Sequence, residues 1–262
     1  MSSLNWKPII FILISVVLLF SIIFGVLSSK EDSSRNHEKQ EQKGPSTKSF
    51  YWGVDTASNT TNHFLTCVKK EFGTPEVLGR YLGTKEDVSK GITKKEAALL
   101  HSKKIKILLI NNQFDSAKGY KNGVNQAQVG VKLASVLDVP KGTAIFADIE
   151  PTYEVDAKFI KGYYDEMKKL GYVSGIYGVF DNGQDLSKAY KQAAKDHRTL
   201  SKETILWTAF PQRGITTKTN APEFSAGGPS DTKIYGWQYG LDATDCHIDT
   251  NLFKGDLIKY LW

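Results

Sequence analysis

From Phe50 onward the chain alternates short apolar, β-prone runs with longer stretches whose apolar residues recur every three or four positions. That alternation predicts strands interleaved with amphipathic helices. The strand candidates are Phe50–Val54, Val77–Leu82, Lys106–Ile110, Thr143–Glu150, Ser174–Tyr177, Ile205–Phe210, Lys233–Tyr239 and a short eighth run starting at Ile248. Helices are expected near Asn62–Phe72 and Thr93–Ser102, then to about Leu137, over Phe159–Leu170 and Leu186–Lys195, and last near Phe253–Tyr260. Thr93 and Glu96 have the spacing of a capping box, and Gly171 reads as a C-cap. Pro211–Ser230, rich in Gly, Pro and Thr, reads as a loop. Eight strands with interleaved helices in ~210 residues fit a (β/α)8 TIM-type barrel of parallel strands. A doubly wound open sheet is the runner-up. The turn after the first strand, GVDTASN, has one glycine, which argues against a dinucleotide-binding loop.

Before Phe50 the pattern is different. Pro8–Leu27 is an uncharged apolar run, PIIFILISVVLLFSIIFGVL, long enough to cross a hydrocarbon core of ~30 Å as a helix. Lys7 flanks it, so the N-terminus is expected in the cytoplasm and the rest outside. Secretion after signal-peptide cleavage beyond Ser28 is the alternative, although signal cores usually run only ~7–15 residues. Ser29–Ser49 has no aliphatic or aromatic side chain and reads as a disordered tether. The expected organisation is therefore a cytoplasmic segment at 1–7, a signal-anchor at 8–28, a tether at 29–49 and a barrel domain at 50–262. The barrel would sit outside a membrane that the chain crosses once.

Charge and cysteine usage narrow the function classes. A net charge of +6 with no basic block longer than a lysine pair does not suit nucleic acid. Weak attraction to anionic wall polymers or lipid headgroups stays open. Cys67 and Cys246 read as two buried thiols in a cytosolic protein and as one disulfide in an exported one. No Cys/His cluster suggests a metal, no GxSxG motif suggests acyl transfer, and no cofactor is expected.

The chemistry concentrates in Thr143–Pro151, TAIFADIEP. Strand alternation puts Asp148 and Glu150 on one face, where two acids push each other's proton affinities apart. In a barrel, functional side chains belong at the C-terminal strand ends. Asp55, Asp148, Glu150, Tyr177, Gln238 and Asp249 fall at or near such ends, with Trp207, Trp237 and Tyr239. Carboxylates converging with aromatic rings make a carbohydrate site: acids protonate the glycosidic oxygen and steady an oxocarbenium-like centre, and rings stack on sugars. Each residue also has a plainer reading: Asp55 and Asp249 as caps, the tryptophans and Tyr239 as core, His247 as structural.

In order along the chain, GVDTAS, IFADIEP, SGIYG, ILWTAF, YGWQYG and HIDTNLF resemble the glycoside hydrolase family 25 lysozymes. A closer resemblance is to a related glycoside-hydrolase-like domain family of unknown function found in exported bacterial proteins, over about residues 50–260. The resemblance implies a lysozyme-like barrel acting on peptidoglycan or a related N-acetylated polysaccharide. Glu150 would be the general acid and Asp148 the orienting carboxylate, with Asp55 and Asp249 completing an acidic floor. Tyr177 and Trp237 would line sugar subsites, together with Trp207, Gln238 and Tyr239. It also implies a Cys67–Cys246 disulfide. The first motif departs from the lysozyme pattern, with Val-Asp-Thr-Ala in place of Ile-Asp-Val-Ser. An inactive barrel that binds wall glycan or a wall partner is thus the alternative to a hydrolase.

Overall fold

The computed structural model describes residues 48–229 and 232–262. The expected cytoplasmic segment, the membrane span and nearly all of the tether lie outside the described residues. Among the described residues no helix is long and apolar enough to cross a membrane.

Eight strands close into a barrel in chain order: β1 (Phe50–Asp55), β2 (Val77–Tyr81), β3 (Lys106–Asn111), β4 (Ala144–Ile149), β5 (Val173–Gly178), β6 (Ile205–Ala209), β7 (Ile234–Gly240) and β8 (Asp249–Lys254). Six helices pack outside: α1 (Asn62–Glu71), α2 (Lys94–Ser102), α3 (Tyr120–Val136), α4 (Ala157–Lys169), α5 (Asp185–Asp196) and α6 (Arg198–Glu203). The capping box of α2 forms in both directions between Thr93 and Glu96. The runner-up open sheet is excluded by closure.

One expectation fails. β1 to β7 pair in parallel, but β8 runs antiparallel to both β7 and β1. A parallel return needs a crossover of a dozen or more residues. Only residues 241–248 join β7 to β8, so the chain turns straight back. The expected last helix is correspondingly reduced. Phe253 belongs to β8, and Gly255–Tyr260 forms a 3-10 helix across the base of the barrel.

Alternation along the strands divides the core in two. Val77, Leu108, Ile110, Phe146, Trp207 and Phe253 fill the interior, which Leu257 and Leu261 close at the N-terminal end. The opposite face of each strand packs on the helices, with Val54, Leu78, Ile145 and Ile149 in the outer layer. α3 and α4 approach closely at Gly162, where a Cβ would lie 2.1 Å from the Tyr120 carbonyl oxygen. Because apolar side chains fill the interior toward the base, the carboxylates and amides of the inward face gather at the C-terminal mouth.

Candidate active site

Asp55 is the last residue of β1 and points into the barrel. It has room because its neighbour on β2 is Gly79, where a Cβ would sit 2.6 Å from the Asp55 Cβ. The next residue, Thr56, is held from behind: its carbonyl accepts from the buried Arg80 guanidinium at 2.8 Å. Arg80 itself pairs with Glu96 of α2 at 3.2 Å. Asp249 opens β8. The reversed direction of that strand brings its first residue to the same mouth as the last residue of β1, and the two are register partners.

Gln238 of β7 lies buried between them. Its Nε2 donates to Asp55 Oδ2 at 3.0 Å and to Asp249 Oδ2 at 3.1 Å. Its Oε1 accepts from the Tyr177 hydroxyl at 2.6 Å. Asn251, two residues beyond Asp249 on the same strand face, donates to Asp55 Oδ2 at 2.6 Å and accepts from Trp207 Nε1 at 2.9 Å. The Asp242 amide donates to Asp249 Oδ1 at 2.7 Å. Two side chains and one backbone amide thus fix the two aspartates, and Tyr177 and Trp207 hold those two side chains in turn.

Burial decides how these acids ionise. It pushes Asp55 up to about 6, against the pull of its hydrogen bonds from Asn251 and Gln238. It pushes Asp249 up to about 7, helped by the charge on Asp55 and opposed by the Asp242 amide. Asp148, near the end of β4, is raised well above the usual carboxylate range. Burial is the first cause, then the charges on Glu150 and Asp55 and a hydrogen bond with the Glu150 side chain; Lys85 opposes. The Asp148 Oδ1 is buried without a partner. Glu150 stands exposed at the rim. Burial and the neighbouring charges favour the protonated form of the deeper Asp148.

The structure therefore brings Asp55, Asp148, Glu150, Asp249, Gln238 and Tyr177 to one mouth. It does not bring the other aromatic candidates there. Trp207 is 1% exposed and lies beneath Tyr177, ring centroids 4.2 Å apart, as the floor of the site. Trp237 and Tyr239 flank Gln238 on β7, so alternation turns them outward. Trp237 donates to the Phe210 carbonyl at 2.8 Å, and the Tyr239 hydroxyl accepts from Trp52 Nε1 at 2.9 Å. At 1% and 0% exposure neither offers a face to a sugar.

Three site residues escaped the sequence reading. Tyr81 ends β2 on the inward face, and burial and the surrounding carboxylates raise its proton affinity. Asn251 shares the face of Asp249, a signal that the i, i+2 rule used for Asp148 and Glu150 also gives. Lys85, on the loop after β2, donates to Asp115 Oδ1, the Phe114 carbonyl and Tyr153. Nothing in its sequence surroundings marks it. Beside the aspartates a cavity of about 470 Å³ opens between the β1 and β7–β8 loops, lined by Asp55, Ser58, Asp242, Thr244, His247 and Asp249. The Cys67–Cys246 disulfide joins α1 to this second loop.

A family model described as Rv2525c-like, glycoside hydrolase-like domain matches residues 75–245. No curated protein sequence matches the chain. Among solved structures, an uncharacterized protein of B. stearothermophilus is 35% identical, with a TM-score of 0.78 over 81% of this chain and 100% of its own. The Tat-secreted protein Rv2525c of Mycobacterium tuberculosis, in complex with L-tartrate, is 17% identical. Its TM-score is 0.50 over 77% of this chain and 94% of its own. The spore cortex lytic enzyme SleM of Clostridium perfringens is 15% identical, with a TM-score of 0.51 over 79% of this chain and 68% of its own. The last two likenesses are of fold alone.

Proposed function

The chain belongs to the Rv2525c-like, glycoside hydrolase-like domain family, and from that premise we propose a membrane-anchored hydrolase of extracellular glycan, peptidoglycan or a related N-acetylated polysaccharide. The observation that carries this reading is the gathering of Asp55, Asp148, Glu150 and Asp249 around one mouth, with Gln238 bridging two of them. The fold shared with a spore cortex lytic enzyme supports it. Residues 8–28 would serve as signal-anchor and 29–49 as tether.

In this mechanism a glycan strand lies across the mouth and places a glycosidic oxygen against Glu150, the acid that solvent reaches. The proton held by Asp148 passes through its hydrogen bond to Glu150, and Glu150 delivers it to that oxygen as the bond to the anomeric carbon breaks. Asp55 and Asp249, ionised above their raised values, face the positive charge that develops on the ring. Water then adds to the anomeric carbon and surrenders a proton to a carboxylate of the mouth. Tyr177, half-buried at the edge, is the one of the four aromatic candidates that is not fully buried.

The test is Glu150→Gln in a gel containing bacterial walls. We expect lytic activity to fall by about a thousandfold or more, as loss of a general acid implies, while the melting temperature is kept. Equal wall binding by both proteins with turnover by neither would replace the hydrolase with a glycan-binding barrel.

A further inference from the structure

The two ends of the barrel carry opposite charge. The mouth holds the carboxylates of Asp55, Asp148, Glu150 and Asp249, and Asp87, Asp242 and Asp245 extend the acidic rim on its loops, where Lys85 pairs with Asp115. The base, made of the helix-to-strand connections, is basic. Lys69, Lys103, Lys104, Lys106, Lys202 and Lys259 are all exposed there. Among the described residues none of these six has a carboxylate within ion-pair distance.

Part of this pattern has a local cause. Lysines at helix C-termini complement the helix dipole, which accounts for Lys69 on α1 and Lys202 on α6. It does not account for Lys106, the first residue of β3, or for Lys233 just before β7. Lys69 and Lys103 line one cavity of this face. Lys202 lines another, of about 270 Å³, with Lys168 and its ion-pair partner Glu203 and with the half-buried Tyr235 and Tyr260. Lysine with half-buried tyrosine is the composition that settles at a bilayer interface.

The chain also enters the barrel at this end, since Lys48 and Ser49 lead into the start of β1. Whatever precedes them leaves from the basic base, and the acidic mouth faces the other way. We propose that the base of the barrel is a docking surface for an anionic lipid bilayer. It holds the domain upright on the membrane with its mouth turned to the glycan outside. The inference rests on the anchored, outward-facing reading above, yet it can fail while that reading stands, because it is tested without anchor or activity.

The test uses residues 48–262 alone. The B. stearothermophilus relative, whose entire chain is matched within 81% of this one, shows that such a barrel stands by itself. Co-sedimentation is measured with vesicles of pure phosphatidylcholine and with vesicles containing phosphatidylglycerol. We expect binding to the second only, lost as salt rises from 0.05 to 0.5 M, where screening shortens to about 4 Å. The triple variant Lys103→Glu, Lys106→Glu, Lys202→Glu should bind about a hundredfold more weakly. Reversing Lys121, Lys158 and Lys191, exposed lysines on α3, α4 and α5, changes net charge equally but should leave most binding intact. Equal binding to both lipids, or an equal loss in both triple variants, overturns the proposal. So does stripping from vesicles by soluble poly(glycerol phosphate) at equal phosphate, which would make a wall polymer the partner.

Discussion

At the level of single residues the site is organised by Gln238 rather than by the acid pair of β4. One amide joins Tyr177, Asp55 and Asp249. Gln238→Leu keeps the volume and removes all three bonds. The lost donor was holding the proton affinity of Asp55 down, so Asp55 should ionise above its present value of about 6. Leaving buried polar partners unpaired costs about 1–3 kcal/mol. An NMR titration of the carboxyl carbons and a melting curve check both. The wild-type acids make a second prediction. Asp55 and Asp249 have folded values of about 6 and about 7, above the ordinary 3.8. Between pH 4 and 7 the folded state therefore binds more protons than the unfolded state, and stability must fall as pH rises through that window. For the buried Asp55 the loss is on the order of 3 kcal/mol, a shift of roughly 6–12 °C in a domain this size. Asp55→Asn should flatten the decline between pH 4 and 7 in thermal melts, and an unchanged slope would contradict the assignment. How much of this was readable follows from what decides each residue. Asp55, Asp148, Glu150 and Asp249 were legible because strand-end position and alternation are written in the sequence. Which of Trp207, Trp237 and Tyr239 would face a ligand was not. Alternation relative to Gln238 turns Trp237 and Tyr239 outward, and depth puts Trp207 under Tyr177. Lys85 is brought near enough to act on the charge of Asp148 only by the path of a loop.

At the level of elements, β8 explains why a residue that begins a strand can join residues that end strands. Had β8 run parallel, Asp249 would stand at the base and the mouth would lack its fourth acid. The apolar pattern shows that a strand exists there but carries no direction. The length of the preceding connection does, because residues 241–248 leave no room for a crossover helix. That connection is the least regular near the site. Asp242, Cys246 and His247 all take positive φ, at 58°, 64° and 52°, a conformation that costs energy without glycine. It is tied down at three points: the disulfide to Cys67 on α1, the Thr56 hydroxyl to the His247 carbonyl at 2.8 Å, and the Ala243 amide to the Ile248 carbonyl at 3.0 Å. The disulfide links positions 179 residues apart, so it constrains most of the unfolded chain. Cys67→Ser with Cys246→Ser should cost about 2–5 kcal/mol, a drop of roughly 5–20 °C at 2–4 °C per kcal/mol. It should also loosen the Asp242–Asp249 contact, so wall-lytic activity should fall more steeply than the folded fraction when both are measured at one temperature. Activity that tracks the folded fraction alone would make the disulfide a staple for the barrel and nothing more.

At the level of the whole molecule, the chain's entry, its charge and its mouth lie along one axis. Lys48 enters at the base, and the carboxylates open at the opposite end. The proposed anchor at 8–28 then sets what the mouth can reach. A tether of residues 29–49 spans at most ~75 Å when fully extended, and as a flexible coil its root-mean-square span is about 25 Å. A barrel on so short a lead spends its time near the bilayer, where a basic base is drawn down and an acidic mouth is pushed outward. That arrangement makes a topological prediction independent of catalysis. Protease added to intact cells, or to protoplasts where the wall blocks access, should cut between residues 29 and 49, because that stretch has no apolar residue with which to build a core. A barrel-sized fragment should be released into the medium, while an epitope placed ahead of Lys7 stays cell-bound and protected until the membrane is permeabilised. Release should need salt as well as protease if the base holds the surface, since cutting the tether removes the covalent link and leaves the electrostatic one. A chain lacking residues 1–28 found in the medium without protease would mean a cleaved leader. A barrel protected in intact protoplasts would place the mouth on the wrong side of the membrane for any wall glycan and would remove the basis for the proposed activity.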